Sequence, residues 1–220
     1  MIIAVDGPAG AGKSTVAKIL AKRLNYLYID TGAMYRALTL KILDCKIDVN
    51  DLKSIIETAN MTKIELLPSA EGPIKVILDG ADVSLAIREP RVTKFVSLVA
   101  KIKEVREVMV VLQRKLGKKN DCVLDGRDIG TVVFPKADRK FFIDATFDER
   151  VNRRFKDLQN LGINNVSREQ VSADLANRDK IDSTREVAPL KKAHDAIYID
   201  TTKISIDEVV NTMLSHAQPK

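Results

Sequence analysis

The stretch MIIAVDGPAGAGKST, residues 1–15, decides the fold of this chain. Residues 2–5 are a short apolar run typical of a buried strand, and the run breaks at Asp6-Gly7-Pro8. The next residues match G-x-x-x-x-G-K-[ST], a loop whose backbone N–H groups surround a polyphosphate. Apolar residues then recur at helical spacing over residues 16–24, so a helix begins at the loop with its positive end facing the same anion. Strand, loop and helix therefore follow one another in the order that nucleotide binding requires.

The loop also predicts which groups hold the nucleotide. Lys13 reaches the outer phosphates, and the Ser14 hydroxyl is placed to bind the cofactor Mg²⁺. The predicted ATP-binding residues here are Gly7, Pro8, Ala9, Gly10, Ala11, Gly12, Lys13, Ser14 and Thr15. The alternative is a Gly-rich turn between two elements, but a plain turn does not need Lys13.

The composition is that of an ordinary soluble globular protein. Its 220 residues are 45% hydrophobic and 30% charged, and no apolar run approaches the ~20 residues that a membrane span needs. Because the chain begins with a strand that leads into a functional loop, we expect no cleavable signal sequence, no membrane contact and a cytoplasmic protein. Of the two cysteines, Cys122 lies in an apolar run and is expected to be a buried, inert thiol.

The net charge of +6 admits two kinds of partner, nucleic acid or highly anionic small substrates. No dense basic run with interleaved aromatic residues occurs, which favours small substrates. We therefore expect no nucleic-acid partner.

Five short apolar runs alternate with helical segments, which predicts a parallel sheet with helices on both faces. The runs are residues 2–5, 26–29, 122–124, 141–143 and 197–199. Residues 62–83 differ, because strands at 63–67 and 74–78, a turn at 68–73 and the tight-turn signal Asp79-Gly80 indicate a small antiparallel insertion.

Three details of the helices can be tested against the structure. Residues 30–32 are predicted as a loop at a strand end, followed by a helix over residues 33–43. Residues 161–166 are a predicted loop. Ser167 and Gln170 have the spacing of a capping box before a polar helix that reaches about residue 177.

Several arginines lie beside the predicted strand ends and helix starts. Phosphoryl transfer depends on neutralising charge around the moving group, and the planar guanidinium binds phosphate through two hydrogen bonds. The set comprises Arg36, Arg127, Arg153, Arg154, Arg178 and Arg185. Arg150 shares a helix face with Arg153 and Arg154. Any one of them could be an ordinary surface residue, and their clustering near strand ends is what points to an anionic substrate.

Four segments together resemble bacterial cytidylate kinases, which are nucleoside monophosphate kinases. These are GPAGAGKST (7–15), YIDTGAMYRA (28–37), LDGRDIGTVVFP (124–135) and REVAPLKKA (185–193). The resemblance spans nearly the whole chain, and the second and third segments are more specific than the phosphate loop.

The resemblance implies an α/β fold of the P-loop, three-layer type. A five-stranded parallel sheet flanked by helices carries an antiparallel-strand insertion and a helical lid. The implied regions are a core at 1–30, 120–146 and 186–220, an acceptor-binding region at 31–119 with the insertion at 62–83, and a lid with flanking helices at 147–185. The implied activity is ATP-dependent phosphorylation of CMP, and of dCMP, in pyrimidine nucleotide metabolism.

The resemblance also assigns roles to residues outside the loop. Arg36, Arg127 and Arg185 hold the acceptor phosphate. Ser97, Arg106 and Asp128 face the cytosine, while Arg178 and Asp182 contact the ribose and phosphates. Thr31 and Tyr35 line the pocket, and Arg153 and Arg154 belong to the lid over the ATP phosphates. Lys13, Arg127, Arg153 and Arg185 are the implied catalytic set.

The residues by themselves leave alternatives open. Asp125 and Asp128 could cap a turn in which Gly126 supplies backbone freedom. Ser97 could be a small packing residue, Tyr35 could only pack at a pocket wall, and Arg106 and Asp182 could be surface charges. Asp30 and Asp125 could orient metal-bound water or serve as structural partners.

Two other functions are compatible with the phosphate loop. One is a P-loop kinase for a different small molecule. The other is a nucleotide-dependent switch or RNA-binding module, which the absence of base-stacking aromatic clusters disfavours. We expect a monomer that acts on ATP and CMP or dCMP.

Overall fold

The computed structural model describes residues 1–67, 74–118, 120–160, 162–163 and 165–217. In chain order the elements are β1 (Ile2–Asp6), α1 (Lys13–Leu24), β2 (Leu27–Asp30), α2 (Thr31–Asp44), α3 (Leu52–Met61), β3 (Ile64–Leu67), β4 (Lys75–Leu78), β5 (Ala81–Asp82), α4 (Pro90–Ala100), α5 (Lys103–Gly117), β6 (Cys122–Gly126), β7 (Arg139–Asp144), α6 (Phe147–Asn160), α7 (Arg168–Thr184), β8 (Ile197–Asp200) and α8 (Ile206–Ala217). A 3-10 turn covers Ala86–Arg88 and a π-helical turn covers Ile129–Val133.

The main sheet has five strands in the order β2-β6-β1-β7-β8, and all its strands are parallel. Its register places Asp6 beside Gly126 and Asp30 beside Asp125. The carboxyl ends of β1, β2 and β6 therefore meet at one edge, which is where open α/β sheets bind ligands. The predicted parallel sheet is confirmed.

The alternating side chains of the strands build two apolar layers, one on each face of the sheet. On one face, strand residues such as Val5 and Phe141 pack with residues of α1 and α8. On the other, Ala4 and Leu124 pack against the π-helical turn, with residues of α5 alongside. Both faces are thus covered, as the near-continuous apolar strands require.

The segment between β2 and β6 has an apolar core of its own. Buried residues of α2, α3, α4 and α5 meet there with β3 and β4 of a second, antiparallel sheet. Asp79 and Gly80 adopt positive φ values of 49° and 91° between β4 and β5, the conformation of a two-residue hairpin turn. The small antiparallel insertion is confirmed, while its predicted turn at residues 68–73 lies outside the described residues.

The phosphate loop connects β1 to α1 along a path that needs its glycines. A Cβ on Gly7 would lie 1.9 Å from the Ile143 carbonyl oxygen, so only glycine fits this close approach. Gly12, with a φ of 89°, is the N-cap of α1, and the helix begins at Lys13. The predicted order of strand, loop and helix is confirmed.

Two helix predictions need correction. The predicted loop at residues 30–32 is wrong, because α2 begins at Thr31 and Asp30 caps it by accepting a hydrogen bond from the Ala33 N–H at 2.8 Å. The capping box of α7 is present, but the helix continues to Thr184 instead of ending near residue 177. Of the predicted loop at 161–166, residues 161 and 164 lie outside the described residues. Within the described part of the chain, no helix combines the length and apolar character needed to cross a membrane.

Candidate active site

A cleft of about 540 Å³ opens at the carboxyl edge of the main sheet. The phosphate loop forms one wall. Six cationic side chains line the cleft, namely Lys13, Arg36, Arg127, Arg153, Arg154 and Arg178. A cleft of this size and charge suits a polyanionic ligand such as a nucleoside triphosphate.

A smaller pocket of about 50 Å³ adjoins the cleft. Its lining includes the predicted residues Thr31, Tyr35, Ser97, Arg106, Arg127, Asp128, Arg178, Asp182 and Arg185. Arg127 and Arg178 line both spaces, as do Gly32 and Gly126. The fold therefore brings the predicted acceptor residues together from α2, α4, α5, α7 and the end of β6, and places them next to the phosphate loop.

Lys13 lies buried at the base of the phosphate loop. Its Nζ donates to the Pro8 carbonyl at 2.6 Å. Burial, and next the Arg127 guanidinium, lower the pKa of Lys13 well below its ordinary value. An anionic phosphate beside this ammonium group would offset both effects, so the site favours a negatively charged ligand.

The Ser14 hydroxyl donates to Asp125 Oδ2 at 2.6 Å, and the Tyr28 hydroxyl donates to Asp125 Oδ1 at 2.8 Å. Burial, and next the neighbouring Asp30, raise the pKa of Asp125 to about 6. A hydroxyl and two carboxylates at this corner are the hard oxygen ligands that Mg²⁺ prefers. Among the described residues no group of three His, Cys, Asp or Glu is arranged to hold a metal. These residues fit a cation that takes few protein ligands and completes its shell with water and phosphate.

The arginines of the cleft repel one another. Burial, and then Arg127, lower the pKa of Arg178 to about 10, and burial also lowers the pKa of Arg154. The Nε atoms of Arg36 and Arg178 are buried without a hydrogen-bond partner among the described residues. Arg36 also pairs with Asp30 at 2.8 Å. Unpaired donors and mutual repulsion in one cleft indicate a binding site for anions.

In the smaller pocket, Arg106 Nη2 contacts Asp128 Oδ2 at 2.5 Å, and its Nη1 donates to the Ala100 carbonyl at 3.0 Å. The Arg106 guanidinium lies 5.4 Å from the centroid of the Tyr35 ring. Arg106 is only 2% exposed, so the alternative that it is a surface charge is wrong. A buried ion pair of this kind costs desolvation energy, so its presence is weak evidence for a purely stabilising role.

Asp182 lines the smaller pocket and pairs with Arg127, which lines both spaces. It accepts from Arg127 Nε at 2.9 Å and lies 3.6 Å from Arg185 Nη1. Burial alone would raise the pKa of Asp182, but the surrounding arginines, led by Arg127, hold it below its ordinary value. The carboxylate is therefore ionised, and it too is buried, so the surface-charge alternative is wrong for Asp182.

Arg185 is held within the smaller pocket by contacts to Asp128 and Ala188. Its Nη2 is 3.7 Å from Asp128 Oδ1, and its Nε donates to the Ala188 carbonyl at 2.8 Å. Arg185 lines the smaller pocket but not the cleft. Arg36 lines the cleft but not the smaller pocket. Arg127 links the two.

The pocket walls come from α2 and α4. Thr31 donates through its hydroxyl to the Asp125 carbonyl at 2.6 Å, and Ser97 is a buried residue of α4. The Tyr35 hydroxyl is buried without a hydrogen-bond partner among the described residues, and burial raises its pKa to about 12. A polar group left unpaired beside a pocket is available to a ligand.

The two lid arginines differ in their contacts. Arg153 donates to the carbonyl and hydroxyl oxygens of Thr201 at 2.6 and 2.9 Å and pairs with Glu149 at 2.9 Å. Arg154 lines the cleft farther along α6. Both lie on the cleft side of α6, as the helical spacing predicts.

The turn predicted as an alternative at residues 125–128 is wrong in part. Asp125 and Gly126 belong to the buried strand β6. The surroundings of Gly126 leave no room for a side chain. A Cβ on Gly126 would lie 2.7 Å from atoms of Ile129 and Thr31. Asp128 follows the strand and begins the π-helical turn, an element found frequently at functional sites.

Sequence reasoning missed Asp6 and Thr201. Asp6 accepts hydrogen bonds from the N–H groups of Ile129 and Gly130 at 2.8 and 2.7 Å, so it holds the turn that follows Asp128. The Thr201 hydroxyl, just after β8, lies 3.2 Å from the Ala11 carbonyl oxygen and 3.0 Å from that of Asp144, so its single proton is shared between the phosphate loop and the end of β7. An acidic residue directly before the loop was the signal available for Asp6, whereas no local pattern marks Thr201.

Comparison with known proteins assigns the chain to a family. The family model described as "Cytidylate kinase" matches residues 3–219. The chain belongs to the cytidylate kinase family. Among its relatives, the cytidylate kinase of Clostridioides difficile (strain 630) is 54% identical over 98% of this chain and 97% of its own length. That of Desulforamulus reducens is 53% identical over 97% and 95%, and that of Lactobacillus gasseri is 49% identical over 100% and 95%.

Solved structures agree on the fold. A protein from Eubacterium ventriosum matches with a TM-score of 0.55 at 15% identity, covering 100% of this chain and 99% of that one. The shikimate kinase from Bacteroides thetaiotaomicron matches with a TM-score of 0.50 at 12% identity, covering 98% and 97%. At these identities the likeness concerns the fold alone. The predicted family, the P-loop α/β fold and the kinase class are confirmed.

Proposed function

We propose that the cleft binds ATP, that the smaller pocket binds CMP, and that the γ-phosphoryl group passes directly between them. ATP-dependent phosphorylation of CMP is the activity of the cytidylate kinase family, to which the chain belongs. The observation that supports this division of the site is the shared lining, since Arg127 and Arg178 face both spaces. An acceptor phosphate at that boundary would lie between the phosphate loop and the pocket.

The chain's own residues supply positioning and positive charge. The acceptor phosphate oxygen attacks in line, and no covalent enzyme intermediate is needed. Lys13, Arg127, Arg153 and Arg185 are the proposed catalytic residues, which spread the charge that develops during transfer. Residues 7–15 surround the ATP phosphates and hold them, together with Arg154, through those of their backbone N–H groups that are not bound within the protein. Mg²⁺, held by Ser14 and through water by nearby carboxylates, would neutralise charge on the phosphates.

Acceptor recognition follows from the hydrogen-bonding groups of cytosine. Cytosine presents an amino donor at N4 and acceptors at N3 and O2, so a carboxylate and a guanidinium side by side match its edge. Asp128 and Arg106 form this pair, and Ser97 lies in the same pocket. Uracil reverses the pattern at two atoms, and buried groups left unpaired discriminate by about 10⁴ to 10⁵.

The remaining acceptor contacts are proposed from the resemblance to cytidylate kinases. Arg36, Arg127 and Arg185 hold the acceptor phosphate, Arg178 and Asp182 contact the ribose and phosphates, and Thr31 and Tyr35 form the walls. We further propose that residues 31–119 act as the acceptor-binding region and residues 147–185 as a lid that excludes water. The enzyme is proposed to act as a cytoplasmic monomer that uses dCMP as well and binds no nucleic acid.

The test is a coupled assay of ADP formation with CMP, dCMP, UMP and AMP as acceptors. We expect turnover of CMP and dCMP and very little turnover of UMP or AMP. Equal turnover of CMP and UMP would remove the roles given to Asp128 and Arg106. Steeply salt-dependent RNA binding without phosphoryl transfer would favour the RNA-binding alternative instead.

A further inference from the structure

An ion pair from α6 and α7 holds the Ala9 residue of the phosphate loop on both sides. Arg150 Nη1 donates to the Ala9 carbonyl at 3.1 Å, and the Ala9 N–H donates to Asp179 Oδ1 at 3.4 Å. Arg150 also pairs directly with Asp179 Oδ2. The three residues form a closed ring that joins the loop to both helices.

Within the ring Arg150 is buried and Asp179 is partly buried, with its side chain 21% exposed. Arg150 is 8% exposed, its Nε donates to the Ala145 carbonyl at 3.1 Å, and its guanidinium lies 5.3 Å from the centroid of the Phe147 ring. The Ala9 side chain packs in an apolar cluster with Val151, Val171 and Leu175 of the same two helices. Charge-assisted hydrogen bonds and apolar contacts therefore fix Ala9 in one position.

The loop stays close to α6 beyond Ala9. A Cβ on Gly10 would lie 2.8 Å from the Arg150 carbonyl oxygen, so the two backbones are in contact there. The Ala9 N–H is occupied by its hydrogen bond to Asp179. The Ala9 peptide planes set the directions of the amides that follow, and those amides are the ones expected to face the ATP phosphates.

We propose that Arg150 and Asp179 are positioning residues that set the geometry of the phosphate loop for ATP. The proposal rests on the proposed function, since it takes the loop as the ATP site. Neither side chain needs to touch the substrate. Their effect reaches ATP through the Ala9 peptide and leaves the CMP pocket unaffected.

The direct test is the dissociation constant for ATP, measured by calorimetry, in Asp179→Asn. Asparagine is the same size but presents one oxygen, so it cannot accept from both the Ala9 N–H and Arg150. The Asp144 carboxylate, 3.9 Å from Arg150 Nε, still compensates the arginine charge. We expect ATP to bind about tenfold more weakly, which corresponds to the loss of ~1.4 kcal/mol from a charge-assisted contact. The dissociation constant for CMP should stay within about twofold of wild type on the same scale.

The chain provides a matched control on the same helices. Arg168 of α7 and Asp148 of α6 also pair, at 3.5 Å, but both are exposed and neither touches the loop. Asp148→Asn should leave the ATP and CMP constants unchanged. An equal loss of ATP affinity in both variants would overturn the proposal, because it would show a general effect of joining α6 to α7.

Further outcomes separate this proposal from the proposed function. Unchanged ATP affinity in a folded Asp179→Asn overturns the positioning role, and so does an equal weakening of CMP. If Asp179→Asn does not fold, Asp179→Glu is measured instead, because it keeps the charge but displaces the carboxylate by one methylene. Weaker ATP binding in that variant supports the positioning role, and unchanged ATP binding overturns it. A wild-type protein that binds ATP but does not phosphorylate CMP would refute the proposed function and leave this comparison intact.

Discussion

Replacing Asp6 with asparagine should remove a pH dependence from the stability of this protein. Asp6 is 4% exposed at the end of β1, immediately before the phosphate loop. Burial raises the pKa of Asp6 from 3.8 to about 6. The N–H groups of Gly130 and Ile129 and the charge of Lys13 oppose this rise, while Asp128 adds to it. Ionisation of this carboxylate in the folded protein therefore costs free energy overall.

The size and sign of the effect follow from linkage. Since the pKa of Asp6 is higher in the folded state, the native protein binds this proton more tightly than the unfolded chain. The stabilising contribution is fully present well below the unfolded pKa of 3.8 and is lost as the pH rises through about 6. The difference between 3.8 and about 6 corresponds to ~3 kcal/mol of unfolding free energy.

Urea unfolding of the wild type and Asp6→Asn, across about pH 4 to pH 7, measures this contribution. Contributions from groups that titrate equally in both proteins cancel when the unfolding free energy of the variant is subtracted from that of wild type. We expect the unfolding free energy of wild type, relative to the variant, to fall by roughly 2–2.5 kcal/mol over this range, since part of the full ~3 kcal/mol is already lost at pH 4. Parallel stability curves for the two proteins would refute the reasoning, because they would show that Asp6 has the same pKa folded and unfolded.

The same variant separates stability from recognition. Asparagine supplies one acceptor oxygen where the carboxylate supplies two, so one N–H of the π-helical turn loses its partner. That turn follows Asp128 directly, and we expect the KM for CMP to rise while the KM for ATP changes less. A residue that lowers stability at neutral pH but orders a binding pocket is an example of stability given up for function.

Four further outcomes are expected. Lys13→Ala should abolish phosphoryl transfer in the coupled assay while calorimetry shows CMP binding largely intact; loss of both in a folded variant would contradict separate donor and acceptor sites. Asp128→Asn should reduce the preference for CMP over UMP in kcat/KM by about tenfold or more, since its amide can both donate and accept; an unchanged preference would argue against base recognition by this residue. Gly126→Ala should lower the unfolding free energy by about 1–3 kcal/mol, as overpacking does, with a matching fall in Tm. Under native conditions a thiol reagent should titrate the exposed Cys45 and spare Cys122, whose pKa burial raises to about 11, whereas both should react in urea; rapid native reaction of both would contradict the buried position.

Local patterns predicted the elements, and resemblance predicted the site residues. The apolar run before Gly7, the glycines and Lys13 each act within a few residues, so strand, loop and helix could be predicted from their order. Contacts between distant segments could not. Asp6 binds N–H groups more than 120 positions away, at Ile129 and Gly130, and only the parallel register of β1 and β6 brings them together.

The end of α7 was predicted about seven residues too early, and the residues concerned show why. The helix was expected to reach about residue 177, and the mostly polar residues beyond it give no apolar period that would have indicated its continuation. Three of those residues lie at or beside the cleft and the smaller pocket: Arg178 lines both, Asp179 accepts from the Ala9 N–H, and Asp182 pairs with Arg127. Tertiary ion pairs therefore stabilise a segment that intrinsic periodicity does not. The same polar groups connect the phosphate loop to the smaller pocket, and a candidate site is where conflict between local pattern and structure is expected.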